Sequence, residues 1–226
     1  MTESKERFIR LLAESGAIQF GDFIAKSGRK TPYFINTGKL MYGDQLDLAG
    51  KMYAGAYAEN IGRESRLLYG PAYKGITLAA VTAAALAADY GIPVPICFNR
   101  KEKKDHGEGG VFVGKVPEDG DRIVIVEDVI TAGTAIRESM ALLKEHGKGT
   151  VEGIIIAVDR QEKGKNGEES SLKELEKEFG VKIYPILTIR EVVSYLRGHE
   201  VGGKWYIDDD TYRRFLAYQQ EYGVGE

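Results

Sequence analysis

A single cysteine, Cys97, is all the thiol this 226-residue chain has, so it can form no internal disulfide. Cys97 lies in the mostly apolar run 94–98, where a free thiol behaves as a small core residue. No histidine or cation adjoins it in an activating pattern, which argues against a nucleophile. Long apolar runs are also missing. The least polar stretch, 76–88, is alanine-rich and far short of the ~20 apolar residues that span a bilayer. Residues 1–12 mix charged and apolar side chains and lack a signal-peptide core. Neither charge sign is in large excess. A net charge of -3 gives no general attraction to nucleic acid or anionic membrane, so any anion site must be local. There are no internal repeats, no divisive linker and no cluster with metal-ligand spacing. These absences lead us to expect a cytoplasmic protein with neither a membrane nor a nucleic-acid partner.

What is present suits one well-buried core: 43% of residues are hydrophobic and 29% charged. Glycine is frequent, at 28 residues, and loops that approach a ligand closely are one use for it. Residues 3–15 read as an amphipathic helix with Phe8, Ile9, Leu11 and Leu12 on one side, stopped at Gly16. Residues 18–23 and 31–37 read as short strands, and 44–61 as a helix with Asp44 as its N-cap. From 66 onward strands and helices alternate. Strands are expected at 66–69, 94–98, 123–126, 153–158 and 181–187. Helices are expected at 76–90, 135–145, 172–179 and 189–196, and polar loops at 99–110 and 163–169. The run Ile-Val-Ile-Val at 123–126 suits a strand buried on both faces. Alternation predicts an α/β fold, a mostly parallel central sheet flanked by helices, with ligands at the carboxyl ends of the strands. We expect one domain over 1–226. Its core covers about 62–200, and segments of about 1–45 and 203–226 form a small cap over the strand ends.

The strongest local signal is VIVEDVITAGTA at 124–135. A buried strand delivers Glu127 and Asp128 to the sheet rim, where carboxylates can accept bonds from sugar hydroxyls and stabilise developing positive charge. Thr131, Gly133 and Thr134 then make a compact cup at a helix start, a ready phosphate site. An acidic strand end alone is commonplace, and so is a threonine-capped helix. Joined without a gap they are far more specific. The segment is not a Walker loop, for no Gly-Lys-Ser/Thr follows, and it lacks the second glycine of a dinucleotide fingerprint. The turn GPAYKG at 70–75 brings Tyr73 and Lys74 to a strand end, suited to pyrophosphate oxygens; alone it would pass for a plain strand-to-helix turn. The stretch 100–106 sets five potential cations around two acids, before Gly107, Gly109 and Gly110. Such a loop could fold over a polyanion and exclude water, although charge runs are usually solvated surface.

Residues 127–135 resemble the phosphoribosyl pyrophosphate motif of type I phosphoribosyltransferases. Three further segments, KSGRKTPYF at 26–34, GPAYKG at 70–75 and FNRKEKKDHGEGG at 98–110, resemble the orotate phosphoribosyltransferases of that family, and the likeness runs over most of the chain. The resemblance implies that Glu127 and Asp128 hold the ribose hydroxyls. It implies that the loop of Val129, Ile130, Thr131, Ala132, Gly133, Thr134 and Ala135 holds the 5′-phosphate. Tyr73, Lys74, Arg100, Lys101, Lys104 and His106 would serve the pyrophosphate side, with Lys104 joining Asp128 and Glu127 in catalysis. Lys26 is assigned to substrate phosphate or base, and Phe34 with Ile35 to a wall beside the orotate ring. Relatives often carry a second aromatic where this chain has Ile35. A backbone contact there would tolerate the change and a ring contact would not. Phe34 reads equally as a core aromatic. Arg160 matches the arginine that meets the orotate carboxylate, a planar donor for a planar acceptor; otherwise it is a surface arginine. The implied cofactor is Mg²⁺, held mostly by substrate oxygens and water. The implied assembly is a homodimer whose loop 100–110 enters the neighbouring site.

Two other readings stay open at this point: a phosphoribosyltransferase for another base, and a regulator that senses phosphoribosyl pyrophosphate without chemistry. A DNA-binding regulator should carry a basic helix-turn-helix extension, and an RNA-binding one a strong basic face. The chain displays no such extension, and its pI near 5.8 disfavours a basic face. The charged loop 100–110 is what a pure sensor would not need.

Overall fold

A computed structural model describes residues 1–25, 28–102 and 110–225. The chain opens with helix α1 (Glu3–Glu14), strands β1 (Ile18–Ile24) and β2 (Lys30–Ile35), a 3-10 turn (Thr37–Lys39) and helix α2 (Gly43–Asn60). Then follow β3 (Leu67–Tyr69), α3 (Lys74–Tyr90), β4 (Ile96–Asn99), β5 (Phe112–Gly114), β6 (Arg122–Val129) and α4 (Thr134–His146). The last elements are β7 (Thr150–Asp159), α5 (Ser171–Phe179), β8 (Lys182–Thr188), α6 (Ile189–Gly198) and α7 (Asp209–Tyr222).

β1 and β2 form a two-stranded antiparallel sheet. The other six strands form one sheet in the order β5-β4-β3-β6-β7-β8, parallel except for β5. The chain winds outward from β3 to β4 on one side, then returns to lay β6 on the other. β3 and β6 therefore flank the point where the winding reverses, and the turns that leave their carboxyl ends diverge there.

Alternating side chains of β6 face opposite ways. Val124 and Val126 join the core shared with α1, α2, α3, α6 and α7, whereas Ile123 and Ile125 join the core under α4 and α5. Both faces are thus covered, which is why β6 reads as continuously apolar. Each fully buried valine or isoleucine contributes about 1.5–3 kcal/mol. α1 docks on α6 through Lys5–Glu191 at 2.8 Å and Arg10–Tyr195 at 2.7 Å. α7 packs Phe215 and Tyr218 against Tyr33 of β2, with ring centroids 6.1 and 5.9 Å apart.

Several expected boundaries move, for physical reasons. β2 ends at Ile35, because the Asn36 side chain accepts a bond from Gly38 N and tightens 37–39 into a 3-10 turn. The N-cap of α2 is Tyr42 rather than Asp44, which sits in the first turn. The Gln45 side chain accepts from the backbone N–H groups of Met41 and Tyr42 and secures that start. α3 begins at Lys74, two residues earlier than expected. β6 runs on through both acids, so Glu127 and Asp128 lie within the strand. β5 and α7 were not anticipated as elements.

Candidate active site

Two turns meet at the reversal point. The one after β3 is held shut by contacts that leave no room for side chains at its ends. A Cβ on Gly70 would lie 2.1 Å from Gly75 O, and a Cβ on Gly75 would lie 2.7 Å from the Pro71 ring. Asn99 Oδ1, at the end of neighbouring β4, accepts from Ala72 N at 2.9 Å and from the Tyr69 hydroxyl at 3.1 Å. Within the turn the Ala72–Tyr73 peptide is cis. Tyr73 is 71% exposed, and Lys101 Nζ stands 5.4 Å from its ring centroid.

The turn after β6 carries Ile130 inward and leaves Thr131, Ala132, Thr134 and Ala135 exposed. Gly133 adopts φ +72° to start α4, a conformation that other residues rarely take, and a Cβ there would strike Leu175. Arg137 Nη1 donates to Ala132 O at 2.6 Å and braces the loop from one turn inside the helix.

Between the turns sits the acid pair. Lys74 Nζ, from the first residue of α3, lies 2.6 Å from Asp128 Oδ2. Asp128 Oδ1 accepts from Val129 N at 2.7 Å, and Glu127 Oε1 from Asp128 N at 2.9 Å. The Tyr53 hydroxyl, from α2, donates to Glu127 O at 2.7 Å. Both acids are buried. Burial, then the neighbouring Asp128 charge, push the Glu127 carboxyl up to about 8. A strong cation, a paired acid and an exposed small-residue loop therefore share one rim, an arrangement able to hold a sugar bearing phosphates on both sides.

Arg160 lies just past β7, beside the acids, because β7 pairs with β6 up to Val129↔Val158. It is a buried residue, only 4% exposed, and not the surface arginine that was the other reading. Its Nε and Nη2 donate to Glu162 Oε1 at 3.0 and 2.7 Å, and its guanidinium lies 4.7 Å from the Tyr33 ring centroid. Phe34 is 43% exposed and stacks on Phe23 with centroids 5.7 Å apart, so it is not a core aromatic. Ile35 turns its side chain into the core, leaving its backbone as what it could offer a ligand. Arg100 is half-buried, its N–H bonded to Val111 O at 2.8 Å. Lys26, Lys104 and His106 lie outside the described residues, as does most of the loop 100–110.

The structure thus brings Lys74, Glu127, Asp128 and the 129–135 loop together, with Arg160 at the adjoining strand end. Sequence reasoning passed over Asn99, Glu162 and Tyr218. Nothing in a polar glutamate after a strand, or in a tyrosine 56 residues further on, signals that the two meet. A cavity of about 520 Å³ adjoins the loop through Arg137 and is otherwise lined by α5 and the turn before it, Lys165 and Glu174 among them. Its charges are largely spent on each other, as in Arg137–Glu178 at 2.7 Å and Lys177–Glu169 at 2.6 Å.

Residues 43–184 match the family described as the phosphoribosyl transferase domain. That defines the class to which the fold and the acid-bearing strand belong. Full-length likenesses narrow it. The chain is 50% identical over 224 residues to the orotate phosphoribosyltransferase of Clostridium acetobutylicum, covering 99% of this chain and all of that one. It is 46% identical, again over 99% of its length, to the orotate phosphoribosyltransferase of Photorhabdus laumondii subsp. laumondii. The crystal structure of the Francisella tularensis orotate phosphoribosyltransferase superposes with a TM-score of 0.79 at 32% identity, covering 96% of this chain and 100% of that one. The chain belongs to the orotate phosphoribosyltransferase family.

Proposed function

We propose that this chain transfers the 5-phosphoribosyl group from phosphoribosyl pyrophosphate to orotate, yielding orotidine 5′-monophosphate and pyrophosphate, a step of UMP biosynthesis. Family membership supports the reaction. The observation that carries the residue assignment is the Lys74–Asp128 pair at the reversal point, one short turn from the start of α4.

In this reading the loop of residues 129–135 binds the 5′-phosphate through backbone N–H groups, the Thr131 and Thr134 hydroxyls and the dipole of α4. Asp128 and Glu127 accept the ribose hydroxyls. The bond from C1′ to the pyrophosphate oxygen breaks ahead of attack, so positive charge builds on the sugar beside these two acids. A ring nitrogen of orotate then bonds to C1′ and gives up its proton, which the departing pyrophosphate can take. Lys74 can exchange Asp128 for a phosphate oxygen as the leaving group gains charge. Arg160 meets the orotate carboxylate, Phe34 and the Ile35 backbone border the ring, and Tyr73, Arg100 and Lys101 attend the pyrophosphate. Lys26, Lys104 and His106 keep the roles that the resemblance gives them.

The donors present fit Mg²⁺. Asp128 and Glu127 offer hard carboxylate oxygens, but among the described residues no three metal-ligating side chains cluster. Substrate oxygens and water would complete the shell. When bound, the ion supplies positive charge to the departing pyrophosphate. Two copies of the chain would form a homodimer in which each loop 100–110 serves the other copy's site. Among the described residues no helix is long and apolar enough to cross a membrane.

An ultraviolet assay tests the reaction. Orotate absorbance should fall only when phosphoribosyl pyrophosphate and Mg²⁺ are both present. Uracil, adenine and hypoxanthine should not be used, because without a carboxylate the Arg160 N–H groups that Glu162 does not engage are left unpaired in a buried site. Turnover of uracil comparable to that of orotate would refute the role given to Arg160.

A further inference from the structure

Glu162 is a buried acid, 4% exposed, for which the reaction above has no use. Four donors converge on its Oε1: Arg160 Nε and Nη2 at 3.0 and 2.7 Å, the Tyr33 hydroxyl at 2.6 Å and the Tyr218 hydroxyl at 3.0 Å. Its Oε2 accepts from Arg29 Nη2 at 2.7 Å. These partners come from the turn between β1 and β2, from β2, from the exit of β7 and from α7. Burial first, with the Glu162 charge adding to it, holds the Tyr33 and Tyr218 hydroxyls above the usual phenol range, so both remain donors.

A guanidinium has five N–H groups in a flat fork. Its Nε and one Nη form a side edge, and the two Nη groups form an end edge. Glu162 takes the side edge of Arg160, and the Tyr33 ring lies against the guanidinium at 4.7 Å. The plane is thereby fixed, with the end edge left over. That edge matches the two oxygens of a carboxylate. We propose that Glu162 is a positioning residue for base selection, clamping the side edge of Arg160 so that its end edge is presented to the carboxylate of the pyrimidine. This rests on the reading that Arg160 meets that carboxylate. On the same reasoning Tyr218 lets the C-terminal helix take part in base choice without touching the base.

Two nucleotides that differ only by the carboxylate, orotidine 5′-monophosphate and uridine 5′-monophosphate, provide the test. Their inhibition constants against the full-length enzyme, taken as a ratio, isolate the carboxylate's share of binding. In Glu162→Gln the preference for the carboxylate-bearing nucleotide should fall about tenfold or more, while uridine 5′-monophosphate binds within about twofold of wild type, since a bond to a charged group is lost only for one ligand. Tyr218→Phe, which removes one of the four donors, should lower the same ratio by about two- to fivefold. Arg160→Ala tests the underlying reading and should abolish the preference. An unchanged ratio in Arg160→Ala would sink that reading and this proposal together. Loss of the ratio in Arg160→Ala but not in Glu162→Gln or Tyr218→Phe would sink the proposal alone. Equal weakening of both nucleotides would make Glu162 a general structural prop and also overturn it. Should Glu162→Gln fail to fold, Tyr218→Phe decides.

Discussion

Burial and the neighbouring Asp128 charge push the Glu127 carboxyl up to about 8, against 4.5 for an ordinary glutamate. The unfolded chain thus ionises here first, and stability falls as pH rises between those two values. At most roughly 1.4 kcal/mol is lost per pH unit from this group. Glu127→Gln mimics the protonated form, so thermal melts at pH 5, 6.5 and 8 should show the variant gaining on the wild type at each step; parallel curves would contradict this. Assayed above pH 8, where Glu127 is ionised, that substitution and Asp128→Asn should each lower turnover by on the order of 2–4 kcal/mol in transition-state stabilisation with the fold intact, checked by kcat and circular dichroism. Cys97 presents the opposite case, a group with no assigned chemistry. Burial pushes its thiol up to about 12, so the native chain should resist iodoacetamide at pH 8 and react once denatured. At this scale the acids and Lys74 were legible because local sequence set them on a strand end and a turn. Burial of Arg160 was not, because its partners Glu162, Tyr33 and Tyr218 gather from across the chain.

The turn after β3 shows what an element needs beyond its propensities. Its two glycines are in contact with each other's backbone, so adding one methyl group must spread the turn. Gly75→Ala should cost about 1–3 kcal/mol in stability, typical of overpacking, and should raise the KM for phosphoribosyl pyrophosphate more than that for orotate. Denaturant unfolding and steady-state kinetics would check both halves. The alternating centre of the fold was readable because parallel strands covered on both faces are apolar throughout. Two elements were not. β5 is a three-residue edge strand held extended by contacts distant in sequence, its pairing with β4 and the packing of Phe112 on Tyr69. α7 has a polar surface interrupted by Phe215 and Tyr218, and partners far away in sequence, Tyr33 on β2 and Glu162 past β7, make those two a buried face.

At the scale of the molecule, a shared site predicts complementation. Lys104→Ala leaves sound acids and a faulty loop, and Asp128→Asn the reverse, so each homodimer should be nearly inactive. After subunit exchange, half the dimers are mixed and each has one sound site, so roughly a quarter of wild-type activity should return. No recovery after verified exchange would confine each loop to its own chain. The base of that loop has one more consequence. Its two legs are laced together where Asn99 faces Phe112 and Arg100 N–H meets Val111 O. The ends are joined whatever lies between them, and the entropy of closing a loop rises slowly, by about 0.6 kcal/mol for each doubling of length. Extra glycine and serine inserted between Lys101 and Val111 should therefore barely change the melting temperature while slowing turnover. The pairing of β4 with β5 closes the loop by itself, so the stretch it closes can be recut for a different task with those two strands still joined.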